Sequence, residues 1–217
     1  MAGKPKIVLY VDVVSPFSYE AFHILRNDPA FAAVDITYVP IFLGGLMKAC
    51  GNTAPVQIKN KDKWINVERV RWARAFGIPM RAASPPDFPP NTLRTMRAVA
   101  AIESREALVA ALEALFRAFW VEHAAVAEPE VFAPILAEAL GVEAAAKVLA
   151  DASSTGKSVL KDNTDRAFAA GAFGLPWMEC TNRAGTTEGF WGVDHLGQVA
   201  QFLGLERPML GGWKSVL

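Results

Sequence analysis

The rhythm of apolar and polar positions changes several times along the chain. Lys6 to Val14 (KIVLYVDVV) is nearly continuous in β-branched and apolar residues, the pattern of a strand buried on both faces. A helix is predicted to follow, because Ser15 suits an N-cap, Pro16 suits the first helical position, and Tyr19, Phe22, His23 and Leu25 keep helical spacing until Asn27-Asp28-Pro29. Val34 to Phe42 (VDITYVPIF) reads as a second strand. The chain therefore opens as β-α-β, with parallel strands and a right-handed crossover.

Leu43-Gly44-Gly45-Leu46 reads as a glycine-rich bend, and Gly51-Asn52-Thr53-Ala54-Pro55 as a polar loop. From Trp64 to Phe76 the pattern is helical, with Arg69, Arg71 and Arg74 on the expected wet face. Prolines then break the chain between Pro79 and Pro90. Beyond Asn91, Leu108, Leu112, Leu115, Phe116 and Phe119 form one helical stripe, and Val131, Ile135, Leu136 and Leu140 another. Strand character returns only in Trp177 to Thr181 and Thr187 to Trp191, followed by a helix from Val193 to Leu203 that Gly204 closes. The order predicts an α/β protein with a thioredoxin-like fold (β-α-β … β-β-α), residues 1–58 plus 171–217, interrupted by an all-helical insertion domain, residues 59–170.

Charge narrows the partners. Lysine and arginine number 22, aspartate and glutamate 22, and no run of like charge occurs, so neither nucleic acid nor an anionic membrane is indicated. A small-molecule ligand is expected instead. The apolar stretch near the N-terminus is short and contains Asp12, unlike a secretory leader or a membrane span, which predicts a soluble intracellular protein. The cytoplasm is favoured over the mitochondrion or peroxisome, since Ser215-Val216-Leu217 only loosely resembles a peroxisomal S-K-L address. Cys50 and Cys180 show neither C-x-x-C nor metal-ligand spacing and are expected to fill the core, so no metal is expected. His123 is expected to favour the negative end of a helix dipole.

Two places carry chemistry. Ser15 falls between the carboxyl end of the first strand and the N-terminus of the first helix, where free N–H groups and the positive dipole end favour an anion such as a thiolate. Alone, Ser15-Pro16 reads as a plain helix cap followed by a commonplace N1 proline. Gly174-Leu175-Pro176, directly before a strand, has the form of a cis-proline loop, whose preceding residue can pair its main chain with an extended peptide.

Val11-Asp12-Val13-Val14-Ser15-Pro16-Phe17-Ser18-Tyr19, Gly51-Asn52-Thr53-Ala54-Pro55, Lys61 with Trp64, Gly171 to Pro176, and Phe190-Trp191-Gly192-Val193-Asp194-His195 together resemble kappa-class glutathione transferases and the related 2-hydroxychromene-2-carboxylate isomerases. The resemblance implies glutathione as co-substrate, a small hydrophobic electrophile as second partner, and a homodimer. It assigns Ser15 to the glutathione sulfur and the Leu175 main chain, before Pro176, to the cysteinyl unit. Asn52 and Lys61 fall to the tripeptide, with Lys61 suited to a carboxylate, and Asp194 to the γ-glutamyl ammonium.

The family commonly has Tyr where Phe17 stands, Ser where Val193 stands and Arg where His195 stands. Phe17 is thus left to wall the pocket, and Val193 to offer its main chain only. Trp64 and Trp191 are the aromatics expected to line the electrophile pocket. With Ser15 and Ser18 in place of both sulfurs, dithiol exchange is excluded at this site. Three activities fit: transfer to electrophiles or peroxides, cis-trans isomerisation, and non-catalytic glutathione binding.

Overall fold

The computed structural model describes residues 3–208 and 211–215, so Val216 and Leu217 of the C-terminal tripeptide lie outside the described residues. Strands β1 (Lys6–Val11), β2 (Asp35–Pro40), β3 (Trp177–Thr181) and β4 (Thr187–Trp191) form one sheet in the order β2-β1-β3-β4. β1 runs parallel to β2 and antiparallel to β3, with Leu9 opposite Tyr38 on one side and Met178 on the other. Helices α1 (Pro16–Asn27) and α2 (Leu43–Ala49) follow β1 and β2. Then α3 (Lys61–Ala75), α4 (Leu93–Ala100), α5 (Arg105–Arg117), α6 (Pro129–Leu140), α7 (Val142–Asp151) and α8 (Thr155–Ala169) intervene before β3, and α9 (Leu196–Phe202) closes the order. This is the thioredoxin-like fold with its helical insertion.

The unbroken apolar run of β1 is explained by cover on both faces. Ile7, Leu9 and Val11 join the large core shared with α1, α4 and α5, whereas Tyr10 packs with Val39, Leu46 and Ala167 beneath α2 and α8. The π-helical turn Ala118–Glu122 brings Trp120 inward, where its indole N–H donates to the Val13 carbonyl at 3.0 Å, next to the turn carrying Ser15.

Some sequence expectations are corrected. Leu43-Gly44-Gly45-Leu46 is the first turn of α2 rather than a bend. Arg69 is buried, not on a wet face: its guanidinium donates to the carbonyls of Arg81 and Ala82 at 2.7 Å and to Asn66 Oδ1, and it lies over the Trp120 ring. Of the two free cysteines, Cys180 fills the core, but Cys50 is half-buried at the end of α2. His123 ends the π-turn in the left-handed region, and burial with nearby Arg81 and Arg69 lowers its pKa instead of raising it. The last helix begins as a 3-10 turn, Val193–His195, in which Asp194 makes no capping hydrogen bond.

Candidate functional site

The site is built where β1 ends. Ser15 N–H donates to the Asp12 carbonyl at 3.0 Å and Val14 N–H to Asp12 Oδ1 at 3.2 Å, a turn that sets Ser15 at the head of α1. Ser15 Oγ then caps the helix by accepting from Ser18 N–H at 3.1 Å. Its oxygen is engaged, but its hydroxyl proton has no acceptor among the described residues. Ser18 is wholly buried with an unpartnered Oγ, so of the two serines only Ser15 borders open space.

That space is a cavity of about 390 Å³. Ser15 and Phe17 form one wall, and Leu43 and Met47 of α2 another. The Asn52 to Val56 loop and the α3 residues Lys61, Trp64 and Ile65 form the third, Phe88 to Thr92 the fourth, and Gly174, Leu175 and Trp191 close it. The lining is almost entirely apolar, and among the described residues Lys61 is the one cation in it. Lys61 opens α3, where the positive dipole end adds to its own charge and favours an anion. A second recess of about 320 Å³ adjoins it, sharing Asn52, Pro55, Lys61 and Trp191 and adding Cys50 and Phe173.

The Leu175–Pro176 bond is cis. Neither main-chain group of Leu175 has a hydrogen-bond partner among the described residues, while the Pro176 carbonyl accepts from Gly192 N–H at 3.0 Å. Asn52 braces this loop: its Nδ2 donates to the Phe173 carbonyl at 2.7 Å, and its Oδ1 accepts from Thr53 N–H at 2.8 Å. One amide hydrogen of Asn52 remains. Gly174 lets the Trp191 ring approach the loop closely, since an added Cβ would lie 2.9 Å from Trp191 Nε1.

The structure thus brings together Ser15, Phe17, Asn52, Lys61, Trp64, Leu175 and Trp191 around one cavity. Pro176, Val193 and Asp194 do not line it. Val193 is buried in the core where its 3-10 turn packs on α1, and Asp194 is exposed beside His195, with Nδ1 at 3.4 Å from Oδ1. Sequence reading gave no role to the Phe88 to Thr92 wall. Its signal was the proline cluster that runs through Pro90 into it, which marks a stiff loop but not what the loop faces.

A sheet that takes strands from both ends of the chain, a capped serine at the head of α1 and a cis-proline loop opposite it define a thioredoxin-type binding site. The chain belongs to the DSBA-like thioredoxin domain family, whose pattern matches residues 6–204. It is similar to glutathione S-transferase kappa 1 of Caenorhabditis elegans, 27% identical over 100% of both chains. It is also similar to 2-hydroxychromene-2-carboxylate isomerase of Pseudomonas putida, 29% identical over 90% of this chain and 92% of that one. Among solved structures, a 2-hydroxychromene-2-carboxylate isomerase superposes with a TM-score of 0.78 at 26% identity, covering 92% of this chain and 94% of the other. The resemblance to kappa-class transferases and these isomerases is borne out.

Proposed function

We propose that this protein is a glutathione-dependent transferase of the kappa type. The carrying observation is that the uncommitted Ser15 hydroxyl and the unpaired Leu175 main chain border the same apolar cavity. Glutathione lies along the cis-proline loop in antiparallel fashion, its cysteinyl unit paired with Leu175. Lys61 and the spare amide hydrogen of Asn52 take a carboxylate, and Asp194, with the Val193 main chain beside it, takes the γ-glutamyl ammonium. The sulfur then sits at the head of α1, where the dipole and the Ser15 O–H favour the thiolate.

Ser15 is not the nucleophile. The thiolate attacks an electrophile held against Phe17, Trp64 and Trp191, forming a sulfur–carbon bond as the leaving group departs with its electron pair. With a peroxide the thiolate attacks oxygen, so that a sulfur–oxygen bond forms as the O–O bond breaks and the alcohol leaves. A second glutathione then displaces water from the sulfenic acid to give glutathione disulfide. The similarity to isomerases favours a second reading, in which the thiolate adds to a conjugated double bond, allows rotation and leaves. That chemistry handles a carboxylate substrate, and among the described lining residues Lys61, already given to glutathione, is the one cation, which weighs toward the transferase. The protein is proposed to act as a cytoplasmic homodimer in the detoxification of electrophiles; sedimentation velocity of the purified protein and fractionation of cells test those two points.

Titrating the ultraviolet thiolate absorbance of bound glutathione tests the role of Ser15. Losing a hydrogen bond to a charged group costs about 1.5–3 kcal/mol, so Ser15→Ala is expected to raise the bound thiol pKa by about one unit or more. Identical titrations in both proteins would reduce Ser15 to a helix cap. Turnover of 1-chloro-2,4-dinitrobenzene, cumene hydroperoxide and a chromene carboxylate, each with glutathione, separates the activities. Activity on the last alone would replace the transferase reading with the isomerase, and binding without any turnover would leave a non-catalytic module.

A further inference from the structure

Asp12 stands three places before Ser15 and is wholly buried, 0% exposed. Its carboxylate gathers the segments that wall the cavity. Oδ1 accepts from Val14 N–H at 3.2 Å and from the Thr92 hydroxyl at 2.8 Å, while Oδ2 accepts from Leu43 N–H at 2.9 Å. The Asp12 carbonyl also receives Ser15 N–H. Val14, Ser15, Leu43 and Thr92 all line the cavity, so one side chain ties the heads of α1, α2 and α4 around it.

The partners of the carboxylate are all neutral donors, and among the described residues neither Lys48 on α2 nor Arg94 and Arg97 on α4 forms an ion pair with it; Glu20 is the other buried carboxyl on the helix that follows. Burial raises its pKa to about 6, against the opposing pull of those hydrogen bonds. When the carboxyl takes a proton, one oxygen becomes a donor among donors. Only the Thr92 hydroxyl can then reverse to accept it, because the Val14 and Leu43 N–H groups cannot.

We propose that Asp12 is a positioning residue of the glutathione site, its charged carboxylate holding Val14 in the turn before Ser15, together with Leu43 and Thr92, in the geometry that receives the tripeptide and its protonation loosening that hold. The inference rests on the glutathione reading above. It places a pH response in the protein's own framework, separate from ionisation of the glutathione thiol.

The probe that separates the two is S-methylglutathione, a thioether with no thiol to titrate. Its binding is measured calorimetrically from pH 5 to 8, in the parent and in a His195→Gln background that removes the imidazole beside Asp194. In both, affinity is expected to fall about tenfold as the pH drops through about 6, where Asp12 takes up its proton. Asp12→Asn is expected to bind about tenfold more weakly at pH 7.5 and to show a flat profile, since its amide offers one acceptor oxygen in place of two. Thr92→Val removes a bond to the charged form and is expected to move the midpoint up by about one pH unit.

A merely structural Asp12 would leave that midpoint in place. A flat parent profile, or a parental midpoint in Thr92→Val, overturns the proposal, and the second readout stands even where Asp12→Asn does not fold. Absence of binding to the parent at every pH overturns the glutathione reading together with this one, whereas binding without the pH response overturns the role of Asp12 alone.

Discussion

Glu20, on α1, is wholly buried with both carboxyl oxygens unpartnered. Burial pushes its pKa well above the ordinary value, with the Arg69 guanidinium pulling the other way. A raised folded-state pKa contributes stability that is complete below the unfolded value of about 4.3 and is lost as the pH rises through the folded one. Glu20→Gln, which has no proton to lose, is therefore expected to gain stability over the parent between pH 5 and pH 8.5 in urea unfolding. A constant difference between the two proteins across that range would mean that Glu20 does not titrate. Neither the burial of Glu20 nor that of Arg69 was legible in the sequence. A charged residue reads as wet until the non-local carbonyls that receive it, here those of Arg81 and Ala82, are known.

Among the elements, β1, α1, β2, β3 and β4 were legible because each follows its own short-range pattern and ends at a Pro, Asp, Asn or Gly signal. The first turn of α2 was not. Gly44 and Gly45 are poor helix formers, and the helix persists because the Phe42 ring covers them, 2.9 Å from where a Gly44 Cβ would stand, and because Asp12 receives the first N–H. Both causes lie outside the segment itself. A similar close approach fixes α8 on α4: a Cβ at Gly156 would lie 2.1 Å from the Arg97 carbonyl oxygen, and a main-chain atom cannot swing aside. Gly156→Ala is expected to cost about 3 kcal/mol by forcing the two helices apart. Thermal unfolding would show it, and an unchanged midpoint would mean that the α4–α8 crossing has room to spare.

At the scale of the molecule, Ile7 and Met178 of the sheet share one continuous core with Met96, Leu112, Leu136 and Leu160 of the intervening helices. The division into residues 1–58 plus 171–217 and an inserted 59–170 is carried forward as a proposal about chain organisation. With the core shared, unfolding in urea is expected to give coincident transitions by tryptophan fluorescence and far-ultraviolet circular dichroism. Separate midpoints would show that the insertion is stable by itself. In the candidate site, the serine, the proline loop and their likeness to a family were legible. The carboxylate beneath them was not, because Asp12 gains its meaning from Leu43 and Thr92, which the sequence sets far apart.

The placement of β1 between β2 and β3 also bears on synthesis. Tyr10 meets Glu179, 169 residues further along the chain. At about 5–20 residues per second a ribosome needs on the order of 10–30 s to supply that second neighbour. Throughout that interval an apolar strand has one open edge, the condition that invites pairing with other chains. The nascent protein is thus most vulnerable before β3 has emerged, a hazard set by the order of synthesis and untouched by any gain in the finished fold's stability.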